Sequence, residues 1–477
     1  MTEPTATRRT RIRSVARIGG RIVGGLAGIG LAGAAVLGST LPLPTVVGAA
    51  DPVTVVPEAA DLLQVCAGPL LLAGGGETAS TASPVGSEAV TRDVVGGDES
   101  SQRPPSSGGL ASGGSAGLVL RLPVDGDDSS LGAAQSQTAG SADLAGFAAA
   151  DCIEPGNDQW LLGGSTITGR SSLLVLSNPD EVDAVVDLDI LAETGAVNVA
   201  GMDGIVIGAG TQQVLPLAAF APGAEALAVH VTSRGGQIAA SLQQSTVRVL
   251  EAGGADITQT GAAPATEQII TGLRISGGER VQERSGEADW ADLASVVRVV
   301  VPGELPANVV IEVLPAGGSS DPAEPAVEAE VQPGEAADLV LPGLVDGTYA
   351  LRISADQPIA AAARSAVLAE DGATDFAWLA ASAALGDQTV VVVPEGPSPQ
   401  LTLANPDEIE RIVRVDDEER TVPAGGSLAI AVDGGASLRL EGAEGLRAGV
   451  SFVSGTQIAA FPVEAPAPVA GTVRIRP

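Results

Sequence analysis

Few residues in this 477-residue chain have the types and spacing that chemistry needs. Two acid pairs, Asp180-Glu181 and Asp407-Glu408, directly follow Asn178-Pro179 and Asn405-Pro406. Two carboxyls at a suitable separation can cleave a glycosidic bond, one as the acid and the other as base or nucleophile. The same residues also spell a turn, because proline fixes φ and withholds a donor while the residue before it is biased to extended backbone. The turn reading is preferred, since a third, diverged copy at Pro302-Gly303 lacks the pair. His230 is the sole histidine and lies in ALAVHVTS, where strand alternation sets it opposite Val229 and Val231, on the solvent face. No nucleophile elbow, Walker loop, HExxH or dinucleotide fingerprint accompanies it. Asp125, Asp127 and Asp128 faintly resemble a calcium loop without its later glycine and bidentate Glu, so they read as a solvated acidic turn. These residues yield no catalytic, cofactor-binding or metal-binding assignment, and the chain is expected not to be an enzyme.

The elements that carry the turns repeat. LLVLSNPDEVDAVVDLDI from Leu173 returns as LTLANPDEIERIVRVDD from Leu401, with a diverged middle copy, VVRVVVPGELPANVVIEVL from Val296. Each copy closes on a similar strand, GQIAASLQQSTV from Gly236, QPIAAAARSAV from Gln357 and TQIAAFPV from Thr456, at a turn-to-strand spacing of roughly sixty residues. From Trp160 onward, short β-branched or alternating runs are separated by Gly, Pro, Asn or Asp, the pattern of strands joined by turns. Trp160, Trp290 and Trp378 precede the three copies and are expected to anchor equivalent cores. An exposed Trp stacking on a sugar is the competing reading, and an aromatic content of only 2% argues against a face built from several rings.

The beginning of the chain suggests export. Arg8, Arg9, Arg11, Arg13, Arg17 and Arg21 precede an uncharged apolar run from Ile22 to Leu41. At about 1.5 Å per residue that run can just cross a hydrocarbon core of about 30 Å, with the arginines on the cytoplasmic side. Small residues at Val47–Ala50 leave cleavage before Asp51 open. The remainder is strongly acidic, in a chain of formal net charge −33 whose bases are all arginine, and such a surface repels nucleic acid. Cys66 and Cys152 are the only cysteines and, in an oxidising compartment, are expected to form one disulfide. Between them, residues 74–146 are dominated by Gly, Ser, Ala, Thr and Pro, a composition expected to leave the segment mobile apart from the strand-like GLVLRLPVDG from Gly117.

The resulting expectation is an all-β chain of tandem Ig-like β-sandwich units behind one N-terminal transmembrane helix, with a β-propeller as the alternative. Residues 1–21 form the cytoplasmic tail, 22–41 the helix or signal segment and 51–155 the disulfide-spanned region. Sandwich units occupy 156–250, 286–368 and 374–477.

VCAGP at Cys66, the stretch DCIEPGNDQWLLGGSTITGRSSLLVLSNP at Cys152, the Arg-rich anchor and the repeats together resemble an uncharacterised family, a domain of unknown function of exported, membrane-anchored proteins from high-GC Gram-positive bacteria. That resemblance implies an envelope location and brings no catalytic residue with it. The repeats resemble bacterial Ig-like sandwiches, an analogy of fold alone. Function is therefore expected to be that of a non-enzymatic envelope scaffold, held to the membrane by its helix, bound to an envelope protein, and secreted if the helix is cut. A wall-glycan-binding accessory or polysaccharide-acting enzyme is the alternative, and it requires a groove with an exposed Trp and convergent carboxylates.

Overall fold

The computed structural model describes residues 53–55, 61–74, 81–111, 117–124, 129–248, 250–287, 289–317, 326–464 and 473–475. The Arg-rich tail, the apolar run 22–41 and Asp125, Asp127 and Asp128 lie outside them. No helix among the described residues is long and apolar enough to cross a membrane. The chain divides into two compact bodies. One comprises Met1–Pro57 with Thr472–Pro477, and in it Val53–Val55 pairs antiparallel with Val473–Ile475. The other is Glu58–Gly471, whose described residues are all-β apart from the helix Gly278–Ser285 and short 3-10 turns.

Within the larger body the β-rich segments form face-to-face sheets, as alternating patterns demand. In the first unit Ala184–Ala192 sends Ala184, Val186, Leu188 and Ile190 inward, against Leu174, Leu176 and Leu242 of the opposite sheet. In the second, the 22-residue strand Gly347–Leu368 serves both sheets: its first half pairs with Ala307–Pro315 and Ala265–Ile275, its second with Val296–Val300 and Thr374–Ala380. The third sets Gln388–Val392, Ser437–Glu441, Arg411–Val415 and Glu418–Val422 against Ser427–Ala431, Gln400–Ala404, Arg447–Val453 and Ile458–Pro462. Each unit thus has its own two-sheet core, as sandwiches do and single-sheet propeller blades do not.

The described residues of the span 74–146, namely 74, 81–111, 117–124 and 129–146, correct the expectation of a mobile segment, because a fourth sandwich is built largely from them. Leu62–Cys66, Leu118–Leu122 and Ser100–Gln102 pack on Ala89–Val95, Ser130–Gly140 and Ala145–Asp151 through Leu118, Leu120, Leu122, Leu131 and Ala133. Cys66 and Cys152, both buried, are joined by a disulfide inside that core. Composition misleads here for two reasons. Alanine and glycine strands pack closely enough to exclude water without large side chains. Glutamines, polar by count, are spent on backbone: Gln135 accepts from Gly68 N at 2.9 Å and donates to Gly68 O at 2.8 Å, Gln137 accepts from Leu70 N, and Gln243 accepts from Leu71 N and donates to Pro69 O. Side-chain amides thereby satisfy Gly68–Leu70, the stretch that leads into the strand Leu71–Ala73.

The four units close on one another through their last strands. Ala145–Asp151 touches Glu251–Gln259, which touches Thr374–Ala380, which touches Ile458–Pro462, which returns to Ala145–Asp151. Two glycines permit this approach: a Cβ on Gly146 would lie 2.5 Å from Ala255 N, and one on Gly254 would lie 2.6 Å from the Phe376 ring. At the junction Asp375 is buried and accepts an amide hydrogen bond from each of the four strands. Its Oδ1 accepts from Ala255 N at 3.2 Å and from Phe376 N at 3.1 Å, its Oδ2 from Phe147 N at 2.9 Å and Ile458 N at 3.2 Å. Burial pushes this carboxyl well above the usual carboxylate range, and the four amide donors offset only part of that rise.

Candidate functional site

The repeated turns are structural. Asn178 is buried; its Nδ2 donates to Val182 O at 2.8 Å and Ile207 O at 3.0 Å, and its Oδ1 accepts from Asp180 N at 3.0 Å. Asn405 repeats the arrangement, donating to Ile409 O at 2.8 Å and Val422 O at 3.4 Å and accepting from Asp407 N at 3.1 Å. The amide thus pins both arms of the bend that Pro179 and Pro406 initiate. Glu181, Asp407 and Glu408 are exposed, while Asp180 is partly covered and takes Gln237 N at 2.6 Å. In the middle copy buried Val301 stands where the Asn would be, ahead of exposed Pro302. Asn178→Ala strips two carbonyls and an amide of their partner and is expected to cost about 2 kcal/mol of stability in urea unfolding; an effect below about 0.5 kcal/mol would show that the clamp is dispensable.

His230 is packed on the outer face of its sheet. It stacks on its cross-strand partner Trp160, with ring centroids 4.2 Å apart, and its nitrogens lie 3.2 Å from Asp189 and 3.0 Å from Asp158. The imidazole therefore caps the Trp and ties two strand carboxylates.

The three tryptophans do not anchor separate cores. Trp160, Trp378 and half-buried Trp290 meet in one cluster between the first and second units, with Leu162, Ala228, Val296 and Ala362. Arg298, in the middle of VVRVVV, is fully buried there. Its Nε and Nη2 reach both Asp338 oxygens at 2.7 and 2.9 Å, and its Nη1 crosses to the first unit, donating to Gly164 O at 2.8 Å and Leu227 O at 3.0 Å. Its guanidinium lies 4.4 Å from the Trp378 centroid. Removing one partner of a buried pair leaves the other uncompensated, so Arg298→Met is expected to lose about 3 kcal/mol in urea unfolding, and Arg298→Met with Asp338→Leu to recover part of it. Equal losses in the single and double variants would show that the guanidinium acts only through the Gly164 and Leu227 carbonyls.

Beside this cluster opens a cleft of about 630 Å³, a size common among ligand pockets. The loop after Trp160 brings Ser165, the strand Arg170–Ser177 brings Arg170, the strand Ala239–Arg248 brings Gln244 and Arg248, and the second unit adds Trp290, Asp292, Asp338, Arg364 and Trp378. Arg170 and Arg248 share Asp292, at 2.8 and 2.7 Å. Burial works against the Asp292 charge, yet Arg248 and Arg170 hold its carboxyl below the usual range; Arg298 does the same for Asp338. Guanidiniums of Arg248 and Arg284 lie 4.8 and 4.1 Å from the Trp290 centroid. Of what the glycan reading requires, the groove and convergent carboxylates are present, but Trp290 is half-buried beneath Arg248 and Arg284 rather than exposed, and the carboxylates are engaged by arginine and are not poised as a general acid and base.

Further acids lie on or beside the central strands, Asp256 buried and Asp151 and Glu464 partly covered. Burial pushes Asp256 up to about 7, and burial with Glu154 nearby does the same to Glu464. Burial, then Glu464, raises Asp151 well above the carboxylate range. For such groups the folded state holds protons that the unfolded chain releases, so their stabilisation is complete below the ordinary carboxylate pKa and is lost as pH rises towards 7. Asp292 and Asp338, which are held low, lose theirs only as pH falls below the ordinary carboxylate range. The unfolding midpoint is accordingly expected to be higher at about pH 5 than at about pH 8, and the reverse order would show these acids to be ionised in the fold.

Residues 109–443 match the model of a family described as a family of unknown function, DUF5719. No curated protein and no solved structure matches the chain.

Proposed function

We propose that this chain, which belongs to the DUF5719 family, is a non-enzymatic exported scaffold that presents repeated turns to a protein partner in the cell envelope. One observation carries the reading. At the same position of each repeated turn an aliphatic side chain follows an acid and is left in solvent: Val182 is 56% exposed, Leu305 61% and Ile409 73%. Six other large aliphatics among the described residues are exposed as well, Leu250 and Val345 most of all, but these three recur at one position of the repeat, and an interface core uses such residues. The Asn clamps hold two of these turns on rigid sheets, which lowers the ordering cost of binding. The disulfide and the N-terminal arginines followed by an apolar run support an extracytoplasmic, membrane-held location.

The test is impermeant crosslinking on intact cells carrying a tagged copy, compared with the variant Val182→Asp/Leu305→Asp/Ile409→Asp. Recovery of the same one or two envelope proteins from wild type, lost in the variant, is the expected result. Recovery that the variant leaves unchanged would remove the turns from the interface, and labelling of the tag only in broken cells would remove the exported location.

A further inference from the structure

We propose that the cleft between the first and second units binds an anionic sugar residue, a pyranose carrying a carboxylate or phosphate, with Arg364 as its charge partner. The inference rests on the cleft and does not depend on the turns. Local charge is the first ground. In a chain of net charge −33 the cleft is locally balanced: Arg170, Arg248 and Arg364 line it, with buried Arg298 behind Asp338, against four acids, Asp292, Asp338, Glu225 and Asp289. Glu225 and Asp289 are exposed at the mouth and are not paired with these arginines.

Arg364 is the member left over. Among the described residues its one hydrogen bond is from Nη2 to Ala294 O at 3.3 Å, its guanidinium lies 5.3 Å from the Trp378 centroid, and Asp338 and Asp292 act on it only from beyond ion-pair distance. Burial lowers its pKa to about 10, the mark of a charge with too little compensation. Side-chain polar atoms buried without a protein partner cluster on the same wall: Arg248 Nε, Arg364 Nε and Asp292 Oδ1. An anion resting against Arg364 would supply the missing charge.

The remaining lining is what a sugar uses. Ser165 and Ser171, both partly exposed, place hydroxyls on this wall, and half-buried Trp290 places a ring there. Nucleic acid carries the same phosphate chemistry, but the acidic surface around the cleft repels a long polyanion. A single acidic sugar, or one unit of a polymer entering by its side group, meets the arginines without meeting much of that surface.

The full chain is to be titrated with glucuronic acid, glucose 6-phosphate, glucose and inorganic phosphate while tryptophan emission is followed, since two of the three tryptophans line the cleft. Saturable change is expected with at least one acidic sugar, with glucose and phosphate at least about tenfold weaker and Arg364→Gln about tenfold weaker for the acidic sugar than Arg364→Lys. In the wild-type protein the bound sugar should also protect Arg364 from phenylglyoxal, a measurement that needs no variant to fold. No saturation by either acidic sugar below about 10 mM, or phosphate binding as tightly as the sugars, overturns the proposal. So does binding that leaves Arg364 open to modification.

Discussion

Asp375→Ala is expected to lose at least about 4 kcal/mol of unfolding free energy, because it leaves four buried amides, those of Phe147, Ala255, Phe376 and Ile458, without an acceptor. An orphaned buried donor costs about 1–3 kcal/mol, and water can reach this junction only if the strands part. Asp375→Asn keeps the shape but turns an NH2 group toward two of the four donors, so it should rank between alanine and wild type. Urea unfolding gives the energies, and amide hydrogen exchange gives the location: those four amides should exchange faster well before amides deep in the third unit, such as Leu403. A loss below about 1 kcal/mol, or exchange that rises evenly over the chain, would falsify the view that this carboxylate holds the units together.

Removing the disulfide is expected to have an effect of the same order. The bond closes a loop of 86 residues in sequence, and chain entropy assigns such a loop about 4–5 kcal/mol. Cys66→Ser/Cys152→Ser should therefore unfold at markedly lower urea. Because both sulfurs lie inside the N-terminal core, the loss should show first as protease cleavage within residues 81–140. If the variant matched the oxidised wild type in both respects, the N-terminal unit would owe its order to the glutamine clamps and sheet packing instead.

The repeats were legible because their signal is local. Asn before Pro, a following acid and a closing Ile-Ala strand fix a turn and an alternation that a single sequence displays, and Asn178 and Asn405 occupy the same place in the fold. The N-terminal unit was not legible, since its strands are written in Ala, Gly, Ser and Gln, and a glutamine that replaces a missing ladder bond looks like any solvated one. Nor was the cleft, whose walls come from Arg170, Arg248, Asp292 and Arg364, residues far apart in sequence. One signal for it was available. Arg298 in VVRVVV and Arg364 in AAARSAV interrupt runs otherwise free of charged side chains, and a guanidinium in such a run is either matched inside the protein or waiting to be. The expectation that Trp160, Trp290 and Trp378 anchor equivalent cores failed for a related reason: register within a repeat says nothing about which face turns toward the neighbouring repeat.

The Asp375 junction also sets an order of events in time. Its four donors come from residues 147, 255, 376 and 458, so a chain emerging from its N-terminus carries an unmatched carboxylate for as long as the last of these is missing. Each sandwich can condense as it appears, but the assembly locks only when the strand Ile458–Pro462 arrives, nearly at the end of the 477 residues. Until then Asp375 keeps an open acceptor position, and a chain cut short before Ile458 would hold its sandwiches without the contact that closes the ring of strands.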